Sequence, residues 1–427
     1  MRKKISLSTL VTLIFLTVAL TVSLTMMLAI RYFNNQMRSV EERQAMYSHI
    51  NAVDRLVREW YPDLDEEVLR QALSQGYIYG IGDTYAAYYT PARYTAEQLR
   101  LAGKATNIGI TLCLNSQGEI TVGRVQPDSA AGKAGVQSGD VLTAVDGTEI
   151  AGKSLSELQT QVSSAEKMLL SVKRGKETLA YEMSAYKYTV RSVQSAMLSD
   201  TVGYIRITAF YKNTPDQFRA AVDSLLKQGA TGLLFDLRNN AGGLPEAVQE
   251  VLSYVMPLGA YGTITDINGN VTKLSSNVNN QLGVSTVSLV NSGTAGEAEF
   301  FAGVLQEASL TTVVGQTTTG KAKYQEYFVL ESDSSALKLT VGEYGLLKSG
   351  SWQGTGLIPA VEAELPLEQA SVYMLLEAKD DAQIQAALSQ FAAPPTVVTT
   401  TTTEKTKAEK TTEGTAEETT GTTADTE

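Results

Sequence analysis

Histidine and cysteine are nearly missing: one of each in 427 residues. Cys113 alone allows no intrachain disulfide and no Cys-rich zinc or iron–sulfur site. His49 alone builds no multi-His metal site. Unless it reaches an active site, it also removes every Ser-His and Cys-His arrangement. It falls on an amphipathic helix and reads as a surface or interface residue. No metal and no cofactor is expected. Basic residues are also short, 35 against 46 acidic ones for a formal charge of −11. Nucleic acid, which needs a basic face, is therefore not an expected partner. The length suits two or three domains.

Charge is absent from Ile5 to Ile30, after Met1-Arg2-Lys3-Lys4. As a helix that run is about 39 Å long, enough to cross a bilayer with some tilt. Its Thr and Ser residues are tolerated by bonding back to helix carbonyls. The apolar region of a cleaved signal is shorter, and no small-x-small site fits well, so the reading is a signal anchor, with a cleaved signal as the alternative. Arg2, Lys3 and Lys4 outweigh Arg31, which places the N-terminus in the cytoplasm and the rest outside the cell membrane. The opposite end, 392–427, is Thr-rich with little apolar surface and is expected to be disordered.

Between these ends the chain has three parts. Residues 36–104 read as helical, with Val40, Met46, Ile50, Val53, Leu56 and Val57 at helical spacing. A second helix starts at Asp63-Leu64-Asp65-Glu66-Glu67, where acids suit the dipole. Residues 105–188 alternate short strands with glycine turns around one helix near Ser154–Val162. Residues 189–391 alternate strands and helices, an α/β core with ligands expected at strand ends. In it, Thr214-Pro215 reads as a side-chain cap followed by Pro at the first helical position.

The stretch Ala130-Ala131-Gly132-Lys133-Ala134-Gly135-Val136-Gln137-Ser138-Gly139-Asp140-Val141-Leu142, with Val145-Asp146-Gly147, resembles a PDZ domain of the bacterial, circularly permuted kind. The resemblance makes Asn107-Ile108-Gly109-Ile110 the peptide-binding loop. A ligand would add as a strand to the following edge. Four further segments follow in order: Val202-Gly203-Tyr204-Ile205-Arg206-Ile207; Asp236-Leu237-Arg238-Asn239-Asn240-Ala241-Gly242-Gly243; Leu289-Val290-Asn291-Ser292-Gly293-Thr294-Ala295-Gly296-Glu297-Ala298-Glu299; and Val314-Gly315-Gln316-Thr317-Thr318-Thr319-Gly320-Lys321 with Gln325. Together they resemble the C-terminal processing (tail-specific) serine peptidase family. The implied fold is a ClpP/crotonase-like α/β protease core with an inserted PDZ domain, a helical N-terminal region and one transmembrane helix.

That family uses a Ser nucleophile and a Lys base, which accounts for the missing histidine. By the resemblance, Lys321 is the general base, Gln325 orients it, and Gly242 and Gly243 belong to the oxyanion hole. The nucleophile position falls on Gly296, which has no side chain to attack with. Glu297 replaces a small residue beside it, and a carboxylate there would favour a protonated Lys321. The expectation is a membrane-anchored homologue with impaired catalysis that binds apolar C-termini or unfolded segments. A homodimer through the helical region is a further expectation. Two alternatives stay open: an active Ser/Thr-Lys endopeptidase using Thr294, and a non-enzymatic PDZ adaptor of the cell envelope.

Overall fold

A computed structural model describes residues 7–279, 282–370 and 372–392. The charged start Met1–Lys4 and the Thr-rich stretch 393–427 lie outside the described residues. Two compact units divide the chain: Met1–Tyr94 with Glu326–Thr340, and Thr95–Gln325 with Val341–Glu427.

In the first unit, α1 runs unbroken from Leu7 to Trp60. The anchor, expected over residues 1–35, continues without a break into the helical region. Residues 31–60 hold no Gly or Pro, so nothing stops the helix there. Its segment Leu10–Tyr32 is long and apolar enough to cross a membrane and is exposed along its length. The threonines bond back as expected; the Thr25 hydroxyl donates to Thr21 O at 2.7 Å. α2 (Glu66–Gly80) is capped by Asp65, whose carboxylate accepts from the N–H groups of Glu67 and Val68. β1 (Ala87–Tyr89) pairs antiparallel with residues 336–338, and α3 (Pro91–Leu101) follows.

The second unit begins with a β domain. β2 (Lys104–Asn107) pairs with β9 (Tyr186–Thr189). β3 (Ile110–Leu114), β4 (Ile120–Val125), β5 (Val141–Val145), β7 (Lys167–Arg174) and β8 (Glu177–Ser184) form one sheet, with β3 at its edge and β6 (Thr148–Glu149) beside β5. The short α4 (Ala130–Ala134) and α5 (Leu155–Ser164) pack on it. α5 starts at Ser154 with a full capping box to Glu157. Ile108, Leu158, Leu170 and Val172 are fully buried at the centre.

The rest is a three-layer α/β core. Its sheet runs β10 (Val193–Met197), β11 (Val202–Ile207), β12 (Gly232–Asp236), β15 (Ser285–Val290), β16 (Thr311–Gly315), β19 (Val361–Glu362). All pairs but β10–β11 are parallel. Every residue of β12 is buried, as both faces of a parallel sheet must be. On one face α6 (Thr214–Lys227), α7 (Pro245–Val255) and α8 (Glu297–Glu307) bury Phe218, Val248 and Phe301 against Phe235. On the other, α10 (Ala382–Ala392) packs Ile384 and Ala387 on Leu234 and Leu289. β13 (Gly259–Asp266) and β14 (Val271–Ser276) form an antiparallel pair, β13 also meeting residues 342–345. β17 (Lys323–Val329), β18 (Ala336–Gly345) and α9 (Leu367–Ala370) complete the described elements.

Thr214 does not cap α6. The cap position is Asn213, without a side-chain bond. The Thr214 hydroxyl is buried instead, accepting from Tyr211 N at 2.8 Å and donating to Ala209 O at 3.1 Å. The hydroxyl thus accepts from an N–H three residues upstream in place of a helix N–H.

Candidate active site and peptide groove

The parallel strands β11, β12, β15 and β16 end on one edge of the sheet, where α/β folds place their ligands. The loops there carry the residues singled out in the sequence. Residues 237–243 follow β12, residues 291–296 follow β15, and residues 316–322 follow β16. They are sewn together by backbone bonds: Ala295 N–H to Asn240 O at 2.9 Å, Thr319 N–H to Thr294 O at 3.0 Å, and Phe210 N–H to Gly242 O at 3.0 Å.

Gly296 forms the turn from β15 into α8, with φ 61° and ψ −124°. This is the sharp, strained strand-to-helix geometry of a nucleophile elbow, and here a residue with no side chain holds it. A Cβ at 296 would lie 3.6 Å from Ala241 O and 3.9 Å from Gly242 Cα, so it would face the Ala241–Gly243 turn without a clash.

The two N–H groups assigned to an oxyanion hole are both taken. Gly242 N–H donates to Asn240 Oδ1 at 2.9 Å. Gly243 N–H donates to Glu297 Oε2 at 2.9 Å. Glu297 is the first residue of α8 and is buried; Tyr344 O–H reaches its other oxygen at 3.4 Å. Burial, and then the Glu297 charge, push the Tyr344 hydroxyl well above its ordinary range. The Glu297 carboxylate, expected beside Lys321, accepts from Gly243 N–H and Tyr344 O–H.

Glu299, the last residue of the third motif, joins two of the strand-end loops. Fully buried, its Oε2 accepts from Gly296 N–H at 2.9 Å and Lys321 N–H at 2.8 Å, and its Oε1 from Gly320 N–H at 2.7 Å. One carboxylate oxygen thus ties the backbone of Gly296, the expected nucleophile position, to that of Lys321, the expected base. Lys321 is partly buried in this loop, and Gln325 follows on β17. Thr294 is fully buried. Its hydroxyl donates to Leu237 O at 2.9 Å and accepts from Asn291 N–H at 3.0 Å, so it serves as a brace between loops.

Beside these loops lies a buried ionic cluster. Arg238 binds Asp236 and Asp381, both at 2.7 Å, and all three are buried. Burial raises the Asp236 carboxyl, but the charges of Arg238 and Arg206 outweigh it and hold the group well below the ordinary carboxylate range. Asp381 also accepts from Gln383 and Ile384 N–H at 3.0 Å, which joins the start of α10 to the end of β12.

In the β domain, Gly109 (φ 86°) separates β2 from β3, which begins at Ile110. A Cβ at 109 would run into Ser129. Of the four expected loop residues, Asn107, Gly109 and Ile110 line a cavity. Ile108 does not; it is fully buried in the domain core and its carbonyl accepts from Ala131 N–H at 2.9 Å. The outer edge of β3 is occupied. Gln159 of α5 accepts from Leu112 N–H at 2.7 Å, and its amide nitrogen approaches Ile110 O at 3.4 Å and Ser163 Oγ at 3.0 Å. These are backbone groups that an added ligand strand would pair with.

The sheet, the inserted β domain and the three strand-end loops define a serine peptidase fold with a peptide-binding module. Residues 201–363 match Peptidase family S41, and residues 121–174 match PDZ domain. The chain therefore carries an S41 peptidase domain and a PDZ domain, and its homologues are named C-terminal processing proteases. It is 29% identical over 338 residues to the carboxy-terminal processing protease CtpA of Bacillus subtilis, covering 77% of this chain and 71% of that one. It is 29% identical over 321 residues to the chloroplastic C-terminal processing peptidase of Tetradesmus obliquus, covering 69% of each. Among solved structures, a Bacteroides fragilis protein described as an S41 protease shares the fold, with TM-score 0.56 at 16% identity over 73% of this chain and 87% of that one.

Proposed function

We propose that this protein is a membrane-anchored, extracytoplasmic C-terminal processing peptidase homologue that binds protein C-termini or unfolded segments and turns them over poorly or not at all. The observation that carries the reading is the pairing at the elbow: Gly296 stands at the nucleophile position, and the neighbouring Glu297 carboxylate sits on Gly243 N–H. In the Ser-Lys scheme, a Ser hydroxyl gives its proton to Lys321 and attacks the peptide carbonyl. Backbone N–H groups then hold the resulting oxyanion. The first partner is absent here, and one of the last is bonded to a carboxylate.

The alternative that Thr294 replaces the nucleophile is weakened by its buried hydroxyl, which braces Leu237 and Asn291. A purely adaptor role predicts that peptide binding depends on the PDZ groove alone. The apolar segment Leu10–Tyr32 supports the anchor, with the PDZ and peptidase domains outside the membrane. The test is a casein-cleavage assay on the full chain in detergent, alongside Lys321→Ala. No cleavage is expected from either. Cleavage by the unaltered chain that Lys321→Ala abolishes would reinstate an active peptidase.

A further inference from the structure

A cavity of about 340 Å³ opens where the PDZ loop meets the strand ends of the peptidase core, and its lining is cationic. Arg100, Lys104, Arg124, Arg206 and Arg238 all line it, and no Asp or Glu does. Two of these charges are matched elsewhere: Arg100 by Glu97 at 2.7 Å, and Arg238 by Asp236 and Asp381. Arg206 shares Asp236 at 3.9 Å, donates to Tyr373 O–H at 3.0 Å, and buries an Nε–H with no hydrogen-bond partner. Arg124 is partly buried on β4, and its described polar contact is the Met374 sulfur at 3.9 Å. Among the described residues no carboxylate pairs with Arg124 or Lys104. Burial, and next the charge of Arg206, pull the Arg124 guanidinium below its ordinary value, though an arginine stays charged.

A surplus cation beside another cation, with a buried N–H unpaired, costs stability unless an anion arrives. The cavity also has the wrong walls for an apolar side chain. α5 turns Gln159 and Ser163 toward it, and β3 turns Thr111. We infer that this cavity takes a carboxylate side chain at or next to the C-terminus of the bound peptide, so that the PDZ module selects acidic rather than apolar termini. Arg124 and Arg206 form the charged end of that site. The inference rests on the peptide-binding reading above and replaces its expectation of apolar termini.

The test uses the full chain in detergent at low salt, with fluorescent peptides identical except for a final Asp, Val or Asp-amide, and succinate as a small dicarboxylate probe. The Asp peptide should bind at least tenfold tighter than the Val peptide, and Arg124→Met should erase that difference. Because it removes an uncompensated charge, Arg124→Met should also leave the melting temperature unchanged or raised, which a structural arginine would not. Peptides bound without acidic preference, or a preference untouched by Arg124→Met, would overturn the inference and leave peptide binding standing. Succinate protection that needs Arg124, with no peptide binding, would keep the anion site and remove the peptide reading. No binding by any probe would remove both.

Discussion

If Gly296 marks a lost nucleophile, as proposed, a Ser placed there should not by itself give fast cleavage. Gly296→Ser places a side chain at φ 61°, ψ −124°, a region that costs non-glycine residues about 1–3 kcal/mol. For a domain of this size each kcal/mol lowers Tm by roughly 2–4 °C. The new Cβ meets nothing closer than Ala241 O at 3.6 Å, so the variant should fold. Its hydroxyl would still face a hole whose Gly243 N–H is bonded to Glu297 at 2.9 Å. Loss of one oxyanion donor costs about 10²–10³ in rate, and the carboxylate adds repulsion with the nascent oxyanion. Gly296→Ser should therefore cleave labelled casein roughly 100–1000 times more slowly than Gly296→Ser with Glu297→Ala. Adding Lys321→Ala to the double variant should abolish activity. Gly296→Ala controls for the backbone strain and should show the same loss of Tm with no cleavage. If Gly296→Ser alone matched the double variant, the argument that Glu297 blocks the hole would be wrong. If Lys321→Ala left the double variant active, the base would lie elsewhere.

Four further outcomes follow from other parts of the molecule. Thr294→Val should destabilise by about 1–3 kcal/mol through its stranded partners, yet leave activity in the restored double variant, as a combined melting and casein assay would show. Gln159→Ala frees Leu112 N–H at the edge of β3; removing one competing hydrogen bond should tighten peptide binding by roughly 2–10-fold, and weaker binding would assign Gln159 to the ligand instead. Asp236→Asn breaks a buried ion-paired cluster and should cost about 3–5 kcal/mol by denaturant unfolding. Because the folded Asp236 carboxyl titrates below its unfolded value, its contribution is fully present above about pH 4 and is lost as pH falls through the folded value, so the variant should lose less stability on acidification.

The local rules carried the reading of the sequence a long way where the partners are neighbours in the chain. The helices near Ser154–Val162 and after Asp63–Glu67 were legible; the structure adds their caps, Ser154 with Glu157 and Asp65 with Glu67 and Val68, each two or three positions away. The same logic misplaced Thr214, which is the first residue of α6 and whose hydroxyl bonds to Ala209 and Tyr211 instead of capping the helix. The strand-end loops were legible as motifs, but not the bonds between them. Glu299 reaches Gly320 and Lys321 across a whole α–β connection, and Glu297 reaches back to Gly243 across two strands. The cationic cavity was wholly illegible. Arg124 belongs to a PDZ strand and Arg206 to a core strand, and no spacing rule places one beside the other.

Glycine at the elbow is also what physics favours if, as proposed, attack is no longer required. A side chain at φ 61° stores strain that persists only when the surrounding structure and the chemistry demand it. Alanine would remove the nucleophile and keep that strain, whereas glycine removes both. The retained frame around the turn then needs a separate explanation, and Glu299 supplies it. Its carboxylate closes three N–H groups from two loops inside the core, so deleting it would strand buried donors whether or not the site turns over. The Gly320-Lys321 loop is thus held by Glu299 for stability, whether or not the site turns over. The Lys321 side chain, by contrast, is not needed for those backbone bonds. Lys321→Met in the unaltered chain should leave the unfolding free energy within about 0.5 kcal/mol of its starting value if the amine has only a lost catalytic role. A loss of several kcal/mol would show that the lysine side chain has taken on structural work at this site.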